Sequence, residues 1–271
     1  MSKARKSTRK NLASELRQDL VSGDWVAVAT GRAKRPQFLR KPATFYQAPS
    51  SCLLRNLEKP LVLLSLDGVK KAKKKHPGGN LWKSDWWVVV VPNKYPAFGR
   101  GACSIFYQEG PYRWTEGVGH HEVVVTRDHD RSPAQMSEGE VELLLRSYQE
   151  RYWALKNDIC VEYVSIFHNH GHLAGATIYH PHSQIIALPV IPPDVARSLQ
   201  GSAAYFHKHK SCVHCVTLKH EKKIKSRVVY ENKFFLVLEP YASKTAFETR
   251  IFPKRHIPHF EEITPEERRH L

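Results

Sequence analysis

The sequence predicts an α+β protein made of two copies of one module, each an antiparallel sheet with packed helices, the second copy incomplete. Three observations carry this. The halves answer each other: VVVVPNKYPAF is matched by FFLVLEPYASKTAF, and EVVVTRDHDRSPAQMSEGEVELLL by ETRIFPKRHIPHFEEITPEERRHL. Such self-similarity marks a duplicated structural unit. The landmarks keep their spacing, with His129 eight residues before Ser137 and His256 eight residues before Thr264. Each copy also switches from continuous apolar runs, which read as buried strands, to a capping box that opens a helix. The second copy stops at Leu271, within the helix, where the first continues into a strand and a loop. The expected division is a basic flexible tail over 1–15, an N-terminal module over 16–190 and a C-terminal module over 191–271, joined near Pro189 to Phe206.

A chain of 271 residues with 41% hydrophobic content can bury a sizeable core. It has no apolar run of membrane-spanning length, and MSKARKSTRK lacks the apolar core of a signal peptide, so a cytoplasmic location and no membrane partner are expected. Five cysteines (Cys52, Cys103, Cys160, Cys212, Cys215) do not amount to a disulfide framework in a chain of this size. The net charge of +16 points to an anionic partner. Much of it, however, sits in Lys3, Arg5, Lys6, Arg9 and Lys10 and in the run Lys70, Lys71, Lys73, Lys74 and Lys75. Neither block interleaves with aromatics and no nucleic-acid-binding signature is present, so specific nucleic-acid recognition is not expected.

In chain order, Ser22-Gly23-Asp24 reads as a turn and Trp25 to Ala29 as a short strand, followed by the basic loop Gly31-Arg32-Ala33-Lys34-Arg35-Pro36. Leu61 to Leu66 is a further strand, and Trp86 to Val91 a buried one that runs into Pro92-Asn93-Lys94-Tyr95-Pro96-Ala97-Phe98. His121 to Thr126 is the next strand, ending in Arg127-Asp128-His129. Ser137-x-x-Glu140 caps a helix whose Val141, Leu144, Leu145, Tyr148, Tyr152 and Leu155 form a core-facing stripe. Val161 to His168 is a strand, and Ile185 to Leu188 another.

Between them lies FHNHGHLAGATIYHPHSQ, which carries the chemistry. Pro181 biases His180 towards an extended conformation, and in an extended stretch residues i, i+2 and i+4 share a face. His180, His182 and Gln184 therefore project together from a rigid strand. A neutral imidazole is a competent nucleophile towards phosphorus when an acceptor holds its other nitrogen and fixes the tautomer; the backbone carbonyl of His180 is the natural candidate. The plainer alternative is a metal site or a polar edge. Elsewhere, Cys212-Val-His-Cys215 with His256 offers two thiolates and an imidazole, three ligands of a tetrahedral zinc.

This stretch resembles the active-site segment of the galactose-1-phosphate uridylyltransferase family, a branch of the histidine-triad superfamily. Asn169 lies thirteen residues before His182 and Thr177 five before it, as in the family, and the tandem arrangement extends the likeness over nearly the whole chain. The resemblance implies tandem histidine-triad-like modules and transfer of UMP from UDP-glucose to a hexose 1-phosphate such as galactose 1-phosphate. It implies His182 as nucleophile, with His180 and Gln184 beside it. Arg32, Arg35, Asn93, Asn169, Thr177 and Ser183 become substrate contacts. Zn²⁺ is the implied metal and a homodimer the implied assembly. In related modules a histidine near the module's end is the fourth ligand of the Cys212, Cys215 and His256 site, so His214 or water stands in here. The family's other site is a cysteine pair with two histidines, here Cys52, His129 and His180. Arg55 stands where its second cysteine belongs, and a cation repels the ion, so one zinc per chain is expected. An ADP-sugar phosphorylase of the same superfamily and a nucleotide-binding inactive remnant stay open, since base choice is not legible in these motifs.

Overall fold

The computed structural model describes residues 15–28, 46–66, 81–83, 85–99, 101 and 106–271. Two compact units are found among them, and they do not follow the order of the chain. One gathers residues 46–192 with 258–269, the other 15–28 with 193–257.

The larger unit is built on a five-stranded sheet of β3 (Val62–Leu64), β4 (Val88–Pro92), β7 (His120–Thr126), β8 (Tyr163–His168) and β9 (His182–Leu188), in the order β3-β4-β7-β9-β8 with every pair antiparallel. The valine run of β4 is uninterrupted because both faces of the sheet are covered. Val88 and Val90 meet Leu143, Leu144 and Leu155 of helix α1 (Glu138–Leu155) on one side. Val89 and Val91 meet Leu54, Leu57 and Trp86 on the other. α1 starts where the capping box places it, the backbone N–H of Ser137 donating to the Glu140 carboxylate at 2.7 Å. Residues 260–263 pack against α1, the buried Gln149 amide donating to the carbonyls of Glu261 and Ile263 at 2.8 and 2.7 Å. A hairpin of β5 (Phe106–Glu109) and β6 (Tyr112–Thr115), which the sequence pattern does not announce, stacks Tyr107 on Trp114.

In the smaller unit, β1 (Glu15–Gln18) and β2 (Trp25–Val28) form a hairpin, and β10 (Val228–Glu231), β11 (Phe235–Leu238) and β12 (Arg250–Pro253) form an antiparallel sheet. Arg250 and Lys244 pair with Asp19 and Asp24 of the hairpin. The segment expected as a linker holds most of helix α2 (Pro193–His209), started by a proline at its first position and Asp194 in its first turn. Gly201 of α2 lies so close to the hairpin that a Cβ there would clash with the Val21 carbonyl oxygen. Helix α3 (Val213–Ile224) belongs to the smaller unit, whereas nearly all of helix α4 (Pro265–His270) belongs to the larger. α4 is capped by Thr264, whose hydroxyl accepts from the Glu267 N–H at 3.1 Å. Cys52, Cys212 and Cys215 are free thiols and Cys160 is disulfide-bonded. No helix among the described residues is long and apolar enough to cross a membrane.

Candidate active site

Strand β9 lies between β7 and β8 with His182 opposite Val125 and Gln184 opposite Val123. The His182 and Gln184 side chains are both half-buried on the face away from α1. The Nδ1–H of His182 donates to the backbone carbonyl of His180 at 2.9 Å, which is the contact the sequence suggests. One hydrogen in a neutral imidazole then leaves Nε2 as a bare lone pair. Fully buried His180 donates from Nε2 to the Thr126 carbonyl at 2.7 Å, so its own lone pair is on Nδ1, 3.7 Å from Cys52 Sγ. Burial pushes the His180 pKa down to about 4, and the ring is neutral at pH 7.

Among the described residues, two clusters have the composition of a metal centre. The ligand atoms of buried Cys52, His129 and His180 lie within 4.8 Å of one another, as do those of Cys212, Cys215 and His256. In the first, His129 donates from Nδ1 to Asp130 at 3.3 Å, and its buried Nε2 has no hydrogen-bond partner. An orphaned imidazole nitrogen beside a thiol and a second lone pair is a fit to a thiophilic divalent ion. Arg55, expected to spoil this site, holds its guanidinium 4.8 Å from the centroid of the Trp82 ring, a cation–π position. In the second cluster, Cys212 caps α3, and Cys215 in its first turn has its sulfur 3.1 Å from His256 Nδ1. His214 is not part of it; its ring is turned to Phe252.

A family model, the N-terminal domain of galactose-1-phosphate uridyl transferase, matches residues 73–192. Galactose-1-phosphate uridylyltransferase of Thermotoga maritima is 29% identical over 94% of this chain and 71% of its own length. ADP-glucose phosphorylase of Arabidopsis thaliana is 31% identical over 93% of this chain and 69% of its own length. The chain belongs to the galactose-1-phosphate uridylyltransferase family. It is thereby an enzyme of a nucleotidyltransferase family. The crystal structure of the Arabidopsis phosphorylase with bound ADP-glucose superposes with a TM-score of 0.72 at 26% identity, covering 95% of this chain and 74% of that one. A uridylyltransferase structure gives 0.66 at 28%, covering 94% and 71%.

Of the residues the family resemblance singles out, Arg32 and Arg35 lie outside the described residues. Asn93 is half-buried, its Oδ1 held by the Tyr95 N–H at 2.9 Å. Asn169 follows β8 and Thr177 is exposed in the loop before β9. Ser183 departs from the expectation of a substrate contact. Strand alternation turns it to the α1 face, where it is 1% exposed and its Oγ lies 2.5 Å from Tyr148 Oη and 3.0 Å from His168 Nδ1. His121, which no sequence motif singles out, has its Nε2 2.8 Å from Gln184 Oε1. The signal available was alternation: His121, Val123 and Val125 share a face of β7, and β9 presents His182 and Gln184 to it.

Proposed function

We propose that the protein moves a nucleoside monophosphate from a nucleoside diphosphate sugar to a phosphate acceptor through a covalent nucleotidyl-His182 intermediate. The observation that carries this is the His182 tautomer, with Nδ1 spent on the His180 carbonyl and Nε2 left with a bare lone pair. Nε2 attacks the α-phosphorus, the P–N bond forms as the P–O bond to the leaving sugar 1-phosphate breaks, and the electron pair leaves with that phosphate. The acceptor's phosphate oxygen then reverses the step. Arg32, Arg35 and the Gln184 N–H groups hold the phosphoryl oxygens as charge shifts. Glutamine has no proton to give, so the leaving group must be stable as an anion, which sugar phosphates are. Asn93, Asn169 and Thr177 line the nucleotide side in this reading.

The preferred substrates are UDP-glucose and a hexose 1-phosphate such as galactose 1-phosphate, on two histidine-triad-like modules divided near residue 190 and working as a homodimer. A second reading, adenylyl transfer from an ADP-sugar to inorganic phosphate, is favoured by the similarity to the Arabidopsis phosphorylase and its ADP-glucose complex. Zinc would be held by Cys52, His129 and His180 and by Cys212, Cys215 and His256, and would supply structural cross-links that fix the loops around them. Incubation with UDP-glucose or ADP-glucose labelled in the α-phosphate tests the proposal. The label should join the protein in an acid-labile, base-stable bond. Its persistence in His182→Ala would refute His182 as nucleophile, and the labelling sugar nucleotide decides between uracil and adenine.

A further inference from the structure

We propose that His121 is a positioning residue that locks the Gln184 side chain in the one orientation presenting its N–H groups, and not its carbonyl oxygen, to the phosphoryl group. This rests on the reading of His182 as nucleophile.

Both nitrogens of His121 are engaged. The backbone N–H of Ala97 donates to Nδ1 at 3.1 Å. A backbone amide is a donor only, so Nδ1 carries no hydrogen and the single hydrogen of the neutral ring is on Nε2. That N–H faces Gln184 Oε1 at 2.8 Å. The carbonyl end of the Gln184 amide is thus consumed, and its amino end is the part left for a ligand. An amide free to turn over would offer an oxygen to the phosphoryl oxygens half the time, and two acceptors repel.

Asn93 is set by the same ring. Its Oδ1 accepts from the Tyr95 N–H at 2.9 Å, which puts its Nδ2 on the His121 side, 3.0 Å from Nε2. Asn93 Nδ2 and His121 Nε2 are then both donors, and the one imidazole hydrogen goes to the acceptor beside it, Gln184 Oε1. The Asn93 amino hydrogens are left for an acceptor that arrives with the ligand. One half-buried imidazole therefore ties the loop of Asn93 to Ala97 to the phosphoryl-facing amide on β9. Strand geometry makes this possible: His121 pairs with Ile186, so Gln184 is its diagonal neighbour on the shared face.

The test combines a tautomer measurement with a double-mutant cycle. In the ¹⁵N-labelled wild type at neutral pH, His121 should be the Nε2–H tautomer; finding Nδ1–H would overturn the proposal whatever the enzyme does. His121→Phe keeps a ring but loses the donor. It should slow formation of the nucleotidyl-histidine about tenfold, the worth of one hydrogen bond, with KM little changed and the fold intact by circular dichroism. Gln184→Ala should also be slow, and the double variant slower by clearly less than the two losses combined, because His121 acts on the phosphoryl group through Gln184. Losses that add, or a His121→Phe rate equal to the wild type, would overturn it. A wild type that forms no adduct with either UDP-glucose or ADP-glucose defeats the reading of His182, and the tautomer measurement then decides this proposal by itself.

Discussion

Gln184→His should turn a transferase towards hydrolysis. In the wild type His121 Nε2–H donates to Gln184 Oε1 at 2.8 Å. An imidazole in the place of that amide would accept the same hydrogen on one nitrogen, which forces its own hydrogen onto the other, facing the reacting phosphorus. The site would gain the proton donor it lacks, next to the Nε2 that His182 leaves open by donating to the His180 carbonyl at 2.9 Å. General acid–base assistance is worth ~10²–10⁴-fold. The lower end applies here, since the new ring must share its geometry with His121, so hydrolysis of the nucleotidyl-enzyme should rise about a hundredfold. The assay is release of nucleoside monophosphate from the isolated, labelled nucleotidyl-enzyme without acceptor, run beside transfer to galactose 1-phosphate and to inorganic phosphate. The wild type should transfer much faster than it hydrolyses, with the gap narrowed in Gln184→His. Hydrolysis unchanged in a variant that still forms the adduct would refute the account of Gln184.

Other perturbations reach the fold and the metal centres. Gln149→Leu strips the buried Ile263 carbonyl of its amide donor and leaves the Glu261 carbonyl to Trp153 alone, and should cost about 1–3 kcal/mol, or roughly 2–12 °C in Tm by calorimetry; an unchanged Tm would mean that residues 260–263 do not depend on α1. Burial pushes the Tyr148 hydroxyl from 10.0 up to about 12. The folded state keeps a proton that the unfolded state releases, so this contribution is complete below pH 10 and lost as pH rises towards 12, about 2–3 kcal/mol in all. Denaturant melts should show Tyr148→Phe losing less stability over that window, and equal slopes would contradict the assignment. Elemental analysis should give two zinc ions per chain, falling to one in Cys52→Ser and to one in Cys212→Ser; a wild type with one zinc that Cys52→Ser leaves in place would show that Arg55 excludes the ion.

Local signals in the sequence were read with little loss. The valine run became β4, the two capping boxes open α1 and α4 at the residues they name, and His-Pro-His placed the His182 imidazole over its own backbone. Strand ends shifted both ways, Leu61 to Leu66 shrinking to Val62–Leu64 and Ile185 to Leu188 growing to His182–Leu188. What was not legible depends on register or on distant pairing. The His121 contact requires knowing that β7 lies beside β9, and the turn of Ser183 towards Tyr148 requires knowing which face α1 covers. The ion pair of Asp19 with Arg250 joins residues 231 apart, so nothing local announces that the N-terminal hairpin belongs with residues 193–257. The seat of Arg55 over the Trp82 ring is likewise a tertiary fact, and from there its charge still reaches Cys52 and His180.

The most direct test of the central claim is peptide mapping of the protein quenched at high pH during turnover with UDP-glucose and, separately, ADP-glucose. The account predicts one nucleotidyl group on the peptide that carries His182, attached through the ring nitrogen Nε2, and discharged when the acceptor phosphate is added. A modified residue other than His182, or turnover with no protein-bound nucleotide at any time, would contradict it.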